Sequence, residues 1–199
     1  MVVKDWMSSP VVTAAPTASV SAALKLMFQR KVHRLPVVDD HDKLVGIVTR
    51  GALLELDTPS TTTAIGAVMT PTPFTTHPLT PVEHAATRMR DLRVGALPVL
   101  EDGRLVGIIT ESDIFDAFLE LLGVGRGSTV TIALGNLAAD LTRALDTIAA
   151  AGVPLNGVTS LAHRGSTFAL FSVDEKNRRA LVQALAKVGL NPAETHVPG

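Results

Sequence analysis

The chain predicts an α+β protein: two tandem β-α-β-β-α units, then a smaller β-α-β-β-α-β unit. Three observations carry this. Residues 46–49, GIVT, return as GIIT at 107–110, inside a longer internal repeat. A glycine-rich hexapeptide, GVGRGS at 123–128, separates the repeats from a tail of different pattern. In each part, short β-branched runs alternate with stretches whose apolar residues recur at helical spacing.

The repeat is exact in phase at many positions. Met7 and Met69, Pro16 and Pro78, Val20 and Val82, Met27 and Met89, and Pro36 and Pro98 all stand 62 residues apart. Gly46 and Gly107, like Thr49 and Thr110, stand 61 apart. The lost residue falls in a turn, VVDDHDKLVG against VLEDGRLVG, where few buried contacts oppose a deletion.

Each repeat opens on an extended piece, PVVTAAP or PFTTHP. A helix follows Thr17-Ala18-Ser19 in one copy and Thr80-Pro81 in the other. Val20, Ala23, Leu24 and Met27 keep helical spacing, and Pro81 suits a first helical turn. Two strands around a polar turn come next, RLPVVD with KLVGIVT and ALPVLE with RLVGIIT. A short second helix ends each copy, ALLEL or DIFDAFLELL, and the polar stretch DTPSTTT (57–63) joins the copies. In the tail, TVTIAL reads as a strand and LAADLTRALDTIAAAG as an amphipathic helix closed by Gly152. LNGVTSLAHRG and STFALFSVDE read as a hairpin turning at Arg164-Gly165. RRALVQALAKVG is a second helix, and AETHV a final strand, which completes the split β-α-β order of ferredoxin-like domains. The domains read as 1–60, 61–122, a linker at 123–128, and 129–199.

Bulk properties narrow the function. Apolar residues make up 46% of the 199 and aromatics 4%, so the core is aliphatic. A net charge of −1 offers no broad electrostatic attraction to nucleic acid or to an anionic membrane. The absence of cysteine excludes disulfides, thiol catalysis and zinc–thiolate sites. Lys4 and Asp5 stand where a signal peptide would need an apolar run, and no stretch reaches the length of a membrane span. The expected location is cytoplasmic. Six histidines are scattered without a ligand-spaced pair, so no metal is expected. No nucleophile–base set and no phosphate-binding glycine loop stands in a fitting context, so the chain is not expected to be an enzyme.

The doubled unit resembles the CBS domain, which occurs in tandem pairs called Bateman modules. The residues that carry the resemblance are Met7, VVT at 11–13, HRLPVVD at 33–39 and VGIVTRGAL at 45–53, with Met69 and VGALPVLEDGRLVGIITESDI at 94–114. It covers residues 2–122. The tail, over 128–197, resembles an ACT domain through its element order and AAAGVPLNGVTS. Where ACT domains commonly have Asp-x-Pro-Gly, GNLA (135–138) stands here. The combination is similar to acetoin-utilisation-type CBS–ACT proteins.

The resemblance implies two related clefts between the repeats, each able to hold an adenosine-containing ligand such as AMP, ADP, ATP, S-adenosylmethionine or NAD. Adenine needs apolar walls, and a ribose offers two vicinal hydroxyls that one carboxylate can accept in charge-assisted bonds. In family terms Thr110 and Asp113 form the hydroxyl–carboxylate pair, with Ser112, Ile108, Met7, Ser8, Val12 and Val32 around them. An Asp at a helix start is also an N-cap, worth about 1 kcal/mol. His33 and Arg34 correspond to phosphate contacts; equally, Arg34 can form a surface ion pair with Asp39 or Asp40. The other cleft would use Thr49, Met69, Thr70, Phe74 and Val94. Its carboxylate position is Ala52, and a methyl group accepts no hydrogen bond. One competent adenosine site per chain follows, with the second weak, altered or empty.

In the ACT-like tail the implied effector turn places Gly135 and Asn136, whose N–H groups can receive a small carboxylate; alternatively this domain only pairs with its own copy. The function expected is a regulatory small-molecule sensor, with an interaction or oligomerisation module bearing vestigial clefts as the alternative. A homodimer is expected, through the helices of the CBS pair and side-by-side ACT-like sheets that hide an edge.

Overall fold

The computed structural model describes residues 1–56, 62–123 and 127–192. Most of the two expected linkers, and the expected final strand at 193–197, lie outside the described residues. The chain divides into two compact units, Met1–Phe115 and Asp116–Gly199.

Each repeat builds one helix, one hairpin and a second helix. The first copy has α1 (Val20–Arg30), β1 (Arg34–Val38), β2 (Leu44–Thr49) and α2 (Arg50–Leu54). The second has α3 (Val82–Leu92), β4 (Ala96–Glu101), β5 (Arg104–Thr110) and α4 (Glu111–Leu121), preceded by the two-residue β3 (Thr70–Pro71). The Ser19 hydroxyl accepts the Ala22 N–H at 3.2 Å and starts α1. In the second copy Pro81 stands one residue before the helix rather than inside its first turn. Lys31 and Arg93 end α1 and α3 in the left-handed conformation, both at φ 54°, and their N–H groups return to the last turn. Both hairpins are antiparallel and bulge at the same place, after Val37 and after Val99.

The extended pieces expected at 10–16 and 73–78 do not become full strands. Each makes a single parallel bridge to the first strand of its own hairpin, Ala14 to Val37 and Thr76 to Val99. Pro10, Pro16, Pro71, Pro73 and Pro78 have no N–H to donate, so a longer ladder cannot form.

The residues before these pieces cross to the other repeat. Val3, at the start of the first copy, is wholly buried in the core of the second with Ala85, Met89, Leu97, Val99 and Ile109. Ile65, 62 residues on, is wholly buried in the core of the first with Val20, Met27, Leu35, Val37, Val48 and Leu53. The hydrogen bonds match in kind. The Val3 N–H donates to the Thr80 carbonyl at 2.9 Å, and the Ile65 N–H donates to the Ala18 carbonyl at 2.8 Å. Past them, Ser8 and Ile108 exchange two backbone bonds (2.9 and 3.1 Å), and Thr70 pairs with Ile47 in β2. Each lead-in thus extends the other repeat's hairpin. Met7 covers Gly107 and Met69 covers Gly46, where any Cβ would collide with the methionine side chain.

The second unit has β6 (Ser128–Leu134), α5 (Leu137–Ala150), β7 (Gly157–His163), β8 (Ser166–Val173) and α6 (Arg178–Ala186). The three strands are antiparallel in the order β6-β8-β7. Arg164 and Gly165 both adopt positive φ, 48° and 80°, as a two-residue type I′ hairpin turn requires. The core joins Val130, Ile132, Phe171 and Val173 of the sheet to Ala144, Ile148, Leu181 and Leu185 of the two helices. After α6 the chain returns to the sheet, where Pro192 bridges Ile132 antiparallel on the side of β6 away from β8.

Candidate ligand cleft

Because the lead-ins cross, a cleft opens under the first of them. Residues 8–12 run from Ile108 in β5 toward β1, spanning the gap between the repeats. Beneath them lies a cleft of about 260 Å³ lined by Ser8, Pro10, Val11, Val12, Lys31, Val32, His33, Arg34, Pro36, Ile108, Thr110 and Ser112. The structure therefore brings Ser8, Val12, Val32, His33, Arg34, Ile108, Thr110 and Ser112 to one wall set. Asp113 is not among them, and neither is Met7. The Met7 side chain turns away to pack over Gly107 and against the second core, because glycine leaves that space open.

Thr110 ends β5 and Asp113 stands in the first turn of α4. The Asp113 carboxylate accepts the Thr110 N–H and the Thr110 hydroxyl, both on Oδ2 at 2.7 Å, while the Asp113 N–H points at the Thr110 hydroxyl at 3.4 Å. The capping residue is therefore Thr110, not Asp113. Asp113 closes a capping box from the third helical position. Oδ1 takes neither bond. In the first repeat only half of this device remains: the Thr49 hydroxyl accepts the Ala52 N–H at 3.3 Å, and no carboxylate stands at Ala52 to reply.

The lining also carries the basic side chains Lys31, His33 and Arg34. Arg34 leans across to the second repeat, its guanidinium 4.0 Å from the Glu111 carboxylate. This corrects the expected partners. Asp39 instead holds the β1–β2 turn, accepting the N–H groups of His41 (2.9 Å) and Lys43 (3.0 Å). Those bonds, Lys43 first, draw its carboxyl below the ordinary range. Gly95 makes the crossing possible, because a Cβ there would collide with the Arg34 guanidinium and stand 2.6 Å from Glu111. Lys31, Pro10, Val11 and Pro36 also line the cleft and were not picked out in the sequence. For Lys31 a signal existed: both repeats place a basic residue before valine, Lys31-Val32 and Arg93-Val94.

The second set does not line this cleft. Thr49 caps α2, Met69 packs over Gly46 and Thr70 pairs with Ile47. Val94 packs against the second core, and Phe74 is 49% exposed. The expected effector turn of the tail is filled from within. The N–H groups of Gly135 and Asn136 donate to Asp140 Oδ2 at 2.8 and 2.9 Å, and Arg143 pairs with Oδ1 at 2.6 Å. These N–H groups are not open to a ligand as expected. Among the described residues no cluster of three or more metal-ligating side chains occurs, and no helix is long and apolar enough to cross a membrane.

The family model for the CBS domain matches residues 3–58 and 65–120. The chain is 37% identical over 117 residues to an L-aspartate semialdehyde sulfurtransferase of Methanocaldococcus jannaschii, a match that takes in 58% of this chain and 23% of that protein's length. The CBS domain pair of protein MJ0100, solved with 5′-methylthioadenosine and S-adenosyl-L-methionine, superposes with a TM-score of 0.56 at 35% identity over 59% of this chain and 95% of that one. CBSX2 from Arabidopsis thaliana, solved with AMP, superposes with a TM-score of 0.55 at 34% identity over 60% and 96%.

Proposed function

The chain belongs to the CBS-domain family as a tandem pair, and on that premise we propose that its first unit is a regulatory sensor whose 260 Å³ cleft takes an adenosine phosphate. CBS pairs are regulatory, non-catalytic modules, and similar pairs are solved with adenosine ligands. One observation carries the finer reading: apolar residues, basic side chains and Thr110, which Asp113 backs, line one cleft. Val11, Val12, Val32, Pro36 and Ile108 suit an adenine ring. Asp113, behind Thr110, has Oδ1 to offer to the ribose hydroxyls. Lys31, His33 and Arg34 suit phosphate and oppose the sulfonium charge of S-adenosylmethionine. Of the two ligand types in the solved relatives, the one in CBSX2 is the better match. At the equivalent place in the other repeat, around Thr49, Thr70 and Phe74, adenosine binds more weakly because Ala52 replaces the carboxylate.

Isothermal titration calorimetry against AMP, ADP, ATP, S-adenosylmethionine and NAD tests this. AMP or a longer phosphate is expected to bind at least tenfold tighter than S-adenosylmethionine. Absence of heat with all five would overturn the sensor reading; preference for S-adenosylmethionine would overturn the phosphate assignment.

The second unit reads as ACT-like. Supporting this are the strand order β6-β8-β7 and the return of the chain to Ile132 at Pro192. Because Asp140 fills the turn at Gly135 and Asn136, its role is pairing with another copy rather than effector capture. The protein then acts as a cytoplasmic homodimer, for which the exposed Phe28, Leu54 and Phe115 of the first unit also supply apolar surface. Light scattering at micromolar concentration checks the dimer, and a monomer would contradict it.

A further inference from the structure

The second repeat carries a groove that the first does not reproduce in chemistry. It lies between α3 and the segment 75–80 as an open groove of about 800 Å³, and its lining comes from the second repeat. His84, Thr87, Arg88 and Asp91 of α3 line it with His77 and Thr80 of the segment and Leu100 of β4. The first repeat is an internal control, because the same backbone is built there from different side chains. At a shift of 62, Thr76, His77, Thr80, His84 and Arg88 correspond to Ala14, Ala15, Ala18, Ala22 and Leu26. The fold does not require polar groups at these positions, yet the second copy has five of them in one groove.

Their hydrogen bonding favours donation into the groove. His77 Nδ1 accepts the Leu79 N–H at 3.1 Å, so a neutral His77 keeps its proton on Nε2 as a donor. The Thr80 oxygen accepts the His77 N–H at 3.3 Å, which leaves its hydroxyl hydrogen to donate. Thr87 is different, since its hydroxyl donates to the Glu83 carbonyl at 2.9 Å. Asp91, the acidic side chain in the lining, is paired with Arg90 at 2.9 Å. Arg88 lines the groove beside two imidazoles and a hydroxyl, with Asp91 as the one acidic side chain among the described residues of the lining.

We propose that this groove is a second ligand site, separate from the cleft between the repeats, and that it takes a phosphate-bearing small molecule. A volume of about 800 Å³ falls within the range of small-molecule sites. Arginine, imidazole N–H and threonine hydroxyl together supply the directed donors that phosphate oxygens need. The proposal does not rest on the adenosine reading of the other cleft.

The test is calorimetry of the full chain with inorganic pyrophosphate, repeated on His84→Ala and Arg88→Leu, which install the residues that the first repeat already tolerates. Each substitution is expected to weaken pyrophosphate at least tenfold, while Asp113→Ala and Arg34→Ala leave it within twofold. AMP binding is expected to stay within twofold in His84→Ala and Arg88→Leu. Thermal melts establish that each variant is folded, and His77→Ala stands in for one that is not. No pyrophosphate binding to the wild-type chain would overturn the proposal. So would loss of binding in Arg34→Ala with none in the groove variants, which would put the phosphate in the cleft.

Discussion

A single oxygen of Asp113 accepts both the backbone N–H and the side-chain hydroxyl of Thr110, each at 2.7 Å. The bond to the N–H stabilises the start of α4, and the bond to the hydroxyl orients the carboxylate toward the end of β5. One side chain therefore serves the helix and holds Thr110, which lines the cleft; the proposed sensor role asks its second oxygen to reach the ribose.

Replacing Asp113 with alanine should separate these roles. Loss of the capping box is expected to cost about 1 kcal/mol of stability. Loss of a charged acceptor for ribose is expected to cost about 1.5–3 kcal/mol of binding, or roughly tenfold to a hundredfold in Kd. Denaturant titration reads the first and calorimetry the second. A stability change with AMP affinity unmoved would leave only the capping role.

The converse change, Ala52→Asp, should restore what the first repeat lacks. Thr49 already receives the Ala52 N–H at 3.3 Å, so an aspartate at 52 can complete the box. An increase of roughly 0.5–1 kcal/mol in stability is expected. The number of AMP sites per chain should rise from one toward two, measured by calorimetric stoichiometry. An unchanged stoichiometry would show that the second cleft lacks more than its carboxylate.

Gly95→Ala should act on phosphate recognition without touching the carboxylate. The added methyl displaces the Arg34 guanidinium and crowds Glu111. AMP is expected to weaken several-fold while adenosine stays within twofold. Equal loss for both ligands would show that Arg34 does not meet the phosphate.

Asp140 gives a pH-dependent prediction. The Asn136 N–H first, then the Gly135 N–H and Arg143, hold its carboxyl below its ordinary value of 3.8, against a smaller opposing effect of burial. The folded form thus binds this proton less readily than the unfolded chain. Its stabilisation is complete above the unfolded value and is lost as pH falls through the folded one. Melts taken between about pH 5 and pH 2 should fall less steeply for Asp140→Asn than for the wild type. Parallel curves would exclude Asp140 as a contributor.

The chain's regularity made much of this legible. A repeat at 62 residues with matched prolines located both hairpins and both first helices. The three-residue spacing of Thr110 and Asp113 announced their contact, since a strand end followed by a helix start brings such positions together. What stayed hidden depends on space between the repeats. Val3 and Ile65 read as apolar residues bound for a core, but nothing local says that each enters the other copy's core. Arg34 shows a charge without its partner, because Glu111 is 77 residues further along. Met7 matches Met69 in sequence, yet its place over Gly107 follows only once the lead-ins have crossed. The filled turn at Gly135 and Asn136 was closer to view: an aspartate four residues after a helix-capping asparagine is within reach of that turn's N–H groups.

The reciprocal placement of Val3 and Ile65 also bears on descent. One such repeat alone has nowhere to put its own lead-in and leaves a hole in its own interior. It is complete only when a second copy returns the favour, so a fragment ending at residue 61 is expected to sediment as a dimer, and a folded monomer would refute this. An ancestor with a single repeat would have been a symmetric pair of chains with two identical clefts. Joining the halves in one gene removed the demand that they stay alike. From then on a carboxylate could be kept at Asp113 and let go at Ala52, and polar residues could gather at Thr76, His77, Thr80, His84 and Arg88 without appearing at their counterparts.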